Sequence, residues 1–150
     1  MKTLVDSRPE ILARLAKLTP ASPRQFGSMT PNQAVCHLND SYLLALGERH
    51  ASPTGNIFHR TVLKTIALHL MTNWPPGAKT RPEMDQQAGG TPPKAFEMDK
   101  AELAASIERF STLMPGFQFS PHPTFGPLTY AEWMRWGYQH ANHHLRQFGV

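Results

Sequence analysis

The chain has 150 residues, of which 40% are hydrophobic and 17% charged, and its formal net charge is +4 at pH 7. This length and composition predict one globular domain over residues 1–150 with a single hydrophobic core. No segment reaches the roughly 20 apolar residues of a membrane span, and the N-terminus has no apolar stretch typical of a secretory signal. The single cysteine, Cys36, excludes an internal disulfide. We therefore expect a cytoplasmic protein that is not inserted in a membrane.

Basic residues outnumber acidic ones and the sequence pI is about 9.5, so nucleic-acid binding is an alternative function. However, the 15 lysines and arginines are scattered, and no two of them are adjacent. A nucleic-acid surface needs a basic stripe interleaved with exposed aromatic side chains, and the sequence has none. Nucleic-acid binding is therefore the weakest of the alternatives.

Helix-start patterns divide the chain into four main helices. Each pattern is a capping box, in which a Ser, Thr or Asp is followed three residues later by Glu or Gln. The four boxes begin at Ser7, Thr30, Asp99 and Thr129. They predict helices from Ser7 to about Leu18, from Thr30 to Gly47, from Asp99 to before Pro115, and from Thr129 to Phe148.

The rest of the chain predicts an accessory helix and two long loops. Residues 56–71 are apolar at helical spacing, whereas no segment alternates as a half-buried strand would. Residues 73–96 and 116–128 are rich in proline and contain aromatic side chains, which is typical of loops that close over a site or pack on the core. The fold class is therefore predicted as all-α: a four-helix bundle with an accessory helix and two Pro-rich loops.

A pair of histidines on the last helix is the first candidate for chemistry. His140 and His144 are four residues apart, so both project from one face of a helix and can bind one metal ion. At 100° per residue they flank the apolar face, whereas His143 lies about 160° from it and is expected to point outward. The pair lacks the glutamate of the HExxH zinc-protease motif, because Ala141 follows His140.

The second predicted helix offers a third imidazole, His37, at the edge of its apolar face. Side chains from facing helices of a bundle can build one site. Three neutral imidazoles with an open coordination position suit zinc, nickel or ferrous iron better than magnesium or calcium. The alternative is that these three histidines are hydrogen-bonded or exposed and have no special role.

Four other residues have possible roles near such a site. His122 lies in the second Pro-rich loop and is either a proton donor above the metal or a structural cap, of which we favour the cap. Asp40 and Gln147 are candidates to orient a ligand imidazole by hydrogen bonds, although a solvent-exposed role fits each equally well. The side chain of Cys36 points about 100° away from that of His37 around the helix axis, so Cys36 is expected to be a buried, inert thiol. His59 and His69 are assigned to the periphery of the protein, and Trp133 and Trp136 to its core.

The C-terminal pattern HxxxHxxQ (His140, His144, Gln147), together with His37 early in the second helix, resembles the DinB/YfiT-like superfamily of metalloenzymes. Two further stretches are similar to one uncharacterised branch of that superfamily: HPTFGPLTYAEWMRWGYQHANHHLRQFG and PPGAKTRPEM. The resemblance covers nearly the whole chain and is most specific in the C-terminal third. It implies a four-helix bundle, a metal held by His37, His140 and His144, and often a homodimer.

The resemblance also implies a class of function. Characterised members of the superfamily include thiol-dependent transferases and isomerases, so we expect a metal-dependent enzyme acting on a small molecule, by thiol transfer, isomerisation or hydrolysis. A low-molecular-weight thiol is a candidate cofactor beside the metal. The alternative from another class is a non-catalytic helical bundle that binds a ligand or a partner protein through its aromatic loops.

Overall fold

The computed structural model describes residues 1–77 and 80–150. Residues 78 and 79, which belong to the first predicted Pro-rich loop and to the stretch PPGAKTRPEM, lie outside the described residues. The described chain is helical, with no strand and only a single bridge between His122 and Gly126. This confirms the predicted all-α class. The main helices are α1 (Leu4–Lys17), α2 (Pro31–Ala45), α3 (Phe96–Ser111) and α4 (Tyr130–Gln147).

Two of the predicted capping boxes form as expected. The Thr30 side chain accepts from the Gln33 amide at 3.2 Å, and the Gln33 side chain accepts from the Thr30 amide at 2.9 Å. Thr129 and Glu132 make the same reciprocal pair at the start of α4. These helix starts depend on residues three positions apart, so the local sequence is sufficient to define them.

The predicted starts of the other two main helices are wrong by three residues each. Helix α1 begins at Leu4 behind the cap of Thr3 and continues through Pro9, rather than starting at Ser7. Helix α3 begins at Phe96, and Asp99 lies inside it, where its carboxylate accepts from the Lys94 amide. In α1 a row of buried residues at helical spacing begins before Ser7, the predicted start of the helix. That row consists of Leu4, Ser7, Ile11 and Leu15.

The accessory helix is present, but most of its turns are wide. Residues 57–70 are helical and contain two π-helical stretches, His59–Leu63 and Ile66–Leu70. The Met71 amide, for example, donates to the Ile66 carbonyl five residues back, at 3.0 Å. The second stretch packs against α4, whereas the first has no buried residue. Turns of this kind are rare and frequently occur at functional sites.

Helices α2 and α4 are in contact, and the side chains of the candidate site come from these two helices. Helix α2 packs against α3 and α4, and α1 packs against the same two helices. The largest buried side chains in the shared core are Trp133, Tyr42 and Phe110. The loop aromatics join this core, since Phe125 is buried and Trp74, Phe117 and Phe119 pack against it. No helix in the described residues is long and apolar enough to cross a membrane.

Candidate metal centre

Helices α2 and α4 bring the three predicted histidines together. His37 and His144 are only 7% and 8% exposed, and His140 is partly buried beside them. One ring nitrogen from each of the three lies within 4.8 Å of the others, so the cluster could hold a metal ion. The i,i+4 pair on α4 and the single histidine on α2 therefore meet as the spacing predicts.

The orientation of His37 is set by a main-chain carbonyl. Its Nδ1 lies 2.9 Å from the carbonyl oxygen of Met84, which can only accept, so Nδ1 carries the proton. The lone pair of a neutral His37 is then on Nε2, which faces His140. Met84 belongs to a short 3-10 turn, Pro82–Met84, that packs against α2.

His144 is oriented from within its own helix. Its Nδ1 lies 2.9 Å from Oε1 of Gln147, and Nε2 of the same glutamine donates to the Phe26 carbonyl at 2.9 Å. Because the amide nitrogen is engaged with Phe26, the amide oxygen is left to accept from His144. The lone pair of His144 is therefore on Nε2. Gln147 is therefore buried against the imidazole of His144 rather than exposed to solvent.

The distances within the cluster fit a divalent ion. Nε2 of His37 and Nε2 of His140 are 3.1 Å apart. Two imidazole nitrogens bound tetrahedrally to zinc at about 2.0–2.1 Å are about 3.3–3.4 Å apart, close to this separation. Nδ1 of His140 is buried without a hydrogen-bond partner among the described residues. His37 and His144 each have a hydrogen bond at Nδ1 that fixes the ring, and His140 has none with the described residues.

Burial keeps the three imidazoles neutral. Loss of solvent lowers the pKa of His37, and it lowers the pKa of His140 and His144 well below the usual 6.5. For His140 and His144 the second cause of the lowered pKa is the nearby imidazole of His37, because two protonated imidazoles at this distance would repel each other. Neutral imidazoles are the form that binds metal, so the cluster presents lone pairs at neutral pH.

Asp40 acts on the site through the loop that carries Met84. The side chain is fully buried and forms an ion pair with Arg49 at 2.9 Å. It also accepts from the Thr91 amide and hydroxyl and from Gln86. The structure shows no hydrogen bond from Asp40 to any imidazole of the described residues. Its network ties residues 84–91 to α2 and so holds the Met84 carbonyl against His37.

His122 has a fixed tautomer. Its Nδ1 accepts from the amides of Thr124 and Phe125, both at 3.1 Å, so the proton is on Nε2. Burial lowers its pKa to about 3, which keeps the ring neutral. The ring stacks on Phe125 and lies 5.7 Å from the Trp136 ring, which also contacts His140. The predicted capping role is present, and Nε2–H is a permanent donor with no partner among the described residues.

A cavity of about 600 Å³ opens beside the histidine cluster. Volumes of this size hold small organic molecules. The helix over 57–70, the first loop and the second loop all contribute to its wall. The lining includes His37, His140 and His144, apolar side chains (Leu63, Met71, Trp74, Phe125, Trp136) and a few polar ones (Ser41, His59, Arg81, His122).

The structure revises three of the sequence assignments near the cavity. His143 does not simply point outward: it is half-buried, contacts the Phe26 and Trp74 rings and lines the cavity. His59 is not peripheral, because it also lines the cavity, with Nδ1 bonded to Asn56. Trp136 is buried as predicted, yet it forms part of the wall.

Two contributors were not predicted as site residues, although both lie in the stretch PPGAKTRPEM. Met84 acts through its backbone carbonyl, which every residue has, and the resemblance of the stretch assigned no role to the side chain of Arg81. Cys36 matches its prediction. It is buried, and burial together with Asp99 raises the pKa of its thiol to about 12.

Residues 5–149 match the family model described as "Protein of unknown function (DUF1569)". Because this match spans nearly the whole chain, the chain belongs to that family. No curated protein and no solved structure matches it.

Proposed function

We propose that this member of the DUF1569 family is a metal-dependent enzyme that acts on a small molecule. His37, His140 and His144 would hold a divalent zinc, nickel or ferrous ion, and the adjoining cavity would receive the substrate. The observation that carries the proposal is the convergence of three neutral imidazoles in the wall of a cavity large enough for an organic ligand. A ligand set of three imidazoles leaves a coordination position open, as catalytic sites require.

The orientation of the ligands supports a metal site over three unrelated histidines. His37 and His144 each have Nδ1 bonded to a fixed acceptor, so both Nε2 lone pairs are available. Ligating histidines are usually held in this way, because the outer hydrogen bond fixes the tautomer and the ring. Without an ion, the buried lone pairs would have few partners, which costs stability.

The reaction we propose is thiol transfer, isomerisation or hydrolysis. A bound ion of this kind supplies Lewis acidity, which polarises a carbonyl or lowers the pKa of a bound water or thiol. The residues around it would bind and orient the substrate: Trp74 and Phe125 exclude water, and the Nε2–H of His122 donates to a substrate oxygen. No Asp or Glu among the described residues lines the cavity, so the wall offers no carboxylate as general base.

The resemblance to the DinB/YfiT-like superfamily supports the choice of thiol chemistry, and we propose the same four-helix bundle arrangement for this chain. The packing of α1 and α2 against both α3 and α4 is consistent with such a bundle. A low-molecular-weight thiol would enter by the cavity as a second ligand of the ion. A homodimer remains part of this proposal.

The test is elemental analysis of the purified, untagged protein and of two variants. We expect about one zinc, nickel or iron per chain in the wild type, loss of it in His144→Ala, and retention in His50→Ala, whose side chain is exposed and belongs neither to the cluster nor to the cavity lining. Metal-loaded protein would then be assayed with thiol-transfer and hydrolase substrates. Absence of metal after reconstitution with each of the three ions, or retention in His144→Ala, refutes the site.

A metal-free binding protein is the second candidate, and the largely apolar wall of the cavity is the observation that favours it. In that case the wild type and His144→Ala would bind the same apolar ligand with equal affinity, and neither would contain metal. Thermal-shift screening of both proteins with small apolar compounds separates this candidate from the first.

A further inference from the structure

Arg81 is the only lysine or arginine of the described residues that lines the cavity. No Asp or Glu of those residues lines it. The described lining of the cavity therefore has Arg81 as its one side chain with a permanent positive charge, to which a bound ion would add its own.

The guanidinium of Arg81 is only partly engaged by protein groups. Its Nε is buried and has no hydrogen-bond partner among the described residues. Its one ion pair with a described residue is long, 3.5 Å from Nη2 to Oε1 of Glu83, and that oxygen also accepts from the Ser52 amide at 3.0 Å. A buried donor without a partner is unfavourable, so an acceptor from a ligand would complete the site.

The backbone holds Arg81 close to the histidine cluster. The Arg81 carbonyl accepts from the Met84 amide at 2.9 Å, and the Met84 carbonyl in turn accepts from His37. One short turn thus carries both the group that orients a ligand imidazole and the cationic side chain of the cavity. A substrate placed beside the cluster would therefore lie near the guanidinium.

The apolar part of the wall limits what the charged ligand can be. Leu63, Trp74 and Phe125 offer hydrocarbon and aromatic surface, which favours a ligand with an apolar body. A single guanidinium balances the one charge of a carboxylate and can pair with it through two parallel hydrogen bonds. A phosphate dianion would be only half neutralised by it.

We propose that the site binds small molecules that carry a carboxylate on an apolar body, with Arg81 as the residue that selects the carboxylate. This inference rests on the proposed function, because it names the substrate class of the same cavity. The apolar body would lie against Trp74 and Phe125, and the bound ion would add to the attraction of Arg81 for the anion.

The test compares two probes of nearly equal shape, 2-naphthoate and its neutral counterpart 2-naphthamide, by quenching of tryptophan fluorescence. The proteins are the wild type, Arg81→Gln and, as a matched control, Arg24→Gln, whose side chain is exposed and outside the cavity. We expect the wild type to bind naphthoate at least about tenfold more tightly than naphthamide, as a charge-assisted pair requires. Arg24→Gln should keep that ratio, and Arg81→Gln should reduce it below about threefold.

Each measurement is made on zinc-loaded and zinc-free protein, with zinc content and circular dichroism recorded for every variant. Equal binding of the two probes, or an unchanged ratio in folded Arg81→Gln, overturns the inference. If no protein retains zinc, and reconstitution with nickel and with iron also fails, the proposed function fails, yet the ratio in metal-free protein still decides the role of Arg81. If zinc is retained and the ratio does not depend on Arg81, the proposed function stands and this inference alone is wrong.

Discussion

His37 and Met84 are 47 residues apart in the chain, yet the imidazole Nδ1 lies 2.9 Å from the Met84 carbonyl oxygen. Because of this contact, the position of a loop determines which ring nitrogen of His37 presents its lone pair to the histidine cluster. The loop in turn is held by Asp40, one turn further along the same helix. Helix α2 therefore supplies both the imidazole of His37 and, through Asp40, the anchor of the loop whose carbonyl orients that imidazole.

Asp40→Asn should weaken both folding and metal binding. Removing the charge breaks a buried ion pair with Arg49, for which we expect a loss of about 3 kcal/mol in the free energy of unfolding. Metal affinity should fall about 10- to 100-fold, because the Met84 carbonyl loses its fixed position. Urea denaturation and competition with a chromogenic chelator measure the two effects. Glu102→Gln, at an exposed position of α3, should change neither.

Gln147 can be tested with a pair of variants that separate its two hydrogen bonds. Gln147→Leu removes the acceptor for His144 and should lower metal affinity about 10- to 100-fold. Gln147→Glu keeps the acceptor and loses the bond to the Phe26 carbonyl, so it should stay within about threefold of the wild-type affinity. Equal losses in the two variants would show that the contact with Phe26, rather than the one with His144, is what matters.

The metal-free protein should lose stability as the pH falls below about 6.5. The unfolded chain then binds protons that the buried imidazoles do not, so the free energy of unfolding decreases with decreasing pH. His122→Asn retains an acceptor for the Thr124 and Phe125 amides but removes a group with a pKa of about 3. Between pH 6 and pH 4 its slope should be smaller by about 1.4 kcal/mol per pH unit. Denaturant titrations in chelator across this range would measure both slopes, and identical slopes would contradict the assignment.

Cys36 should be inert in the folded protein. Burial, reinforced by Asp99, raises its pKa to about 12, so at pH 8 the thiolate fraction is about a thousandfold lower than in an unfolded chain. An aromatic disulfide reagent should react slowly with native protein and rapidly in urea. The same pKa predicts that the thiol contributes stability that is lost as the pH rises from about 9 towards 12, because only the unfolded chain then releases the proton. Fast reaction under native conditions would show that the site opens.

Gly55→Ala should displace the loop that carries His122. A Cβ on Gly55 would lie 1.7 Å from the Thr124 carbonyl oxygen, and backbone on both sides would have to move. The control is Thr54→Ala, which keeps the amide hydrogen bond to the Pro123 carbonyl. We expect Gly55→Ala to lower the melting temperature and weaken ligand binding, with the control near wild type. Thermal denaturation and naphthoate binding provide the two measurements.

Part of this fold could be predicted because its signals are local. The boxes at Thr30 and Thr129 define helix starts within four residues, and the i,i+4 spacing of His140 and His144 fixes their common face. The start of α1 was mispredicted because Ser7 and Glu10 were taken as the cap, whereas Thr3 caps the helix by accepting from the Asp6 amide. The π-helical turns within residues 57–70 were also not predicted, because no pattern in the local sequence indicates them.

The site was predictable to a similar degree. The three imidazoles carry a residue type and a spacing that mark them, and the structure brings them together. The Met84 carbonyl and the Arg81 guanidinium depend on where a long loop settles, and Asp40 and Arg49 decide that through contacts far apart in the chain. Long-range packing of this kind cannot be read from residue types alone.

The wide turns of the helix over 57–70 give the cavity wall a property that an ordinary α-helix lacks. Each turn closed between residues five apart contains one residue more than an α-turn needs, so the helix can lose a residue there and re-form its hydrogen bonds at the shorter spacing. Such a deletion keeps the residues on either side of the turn on their original faces, because the shorter turn is still one full turn. It changes only the side chains that the turn presents to the cavity, which Leu63 and Ala67 line. Single-residue length changes in this segment are therefore a route to new ligand specificity that leaves α2, α4 and the histidine cluster intact.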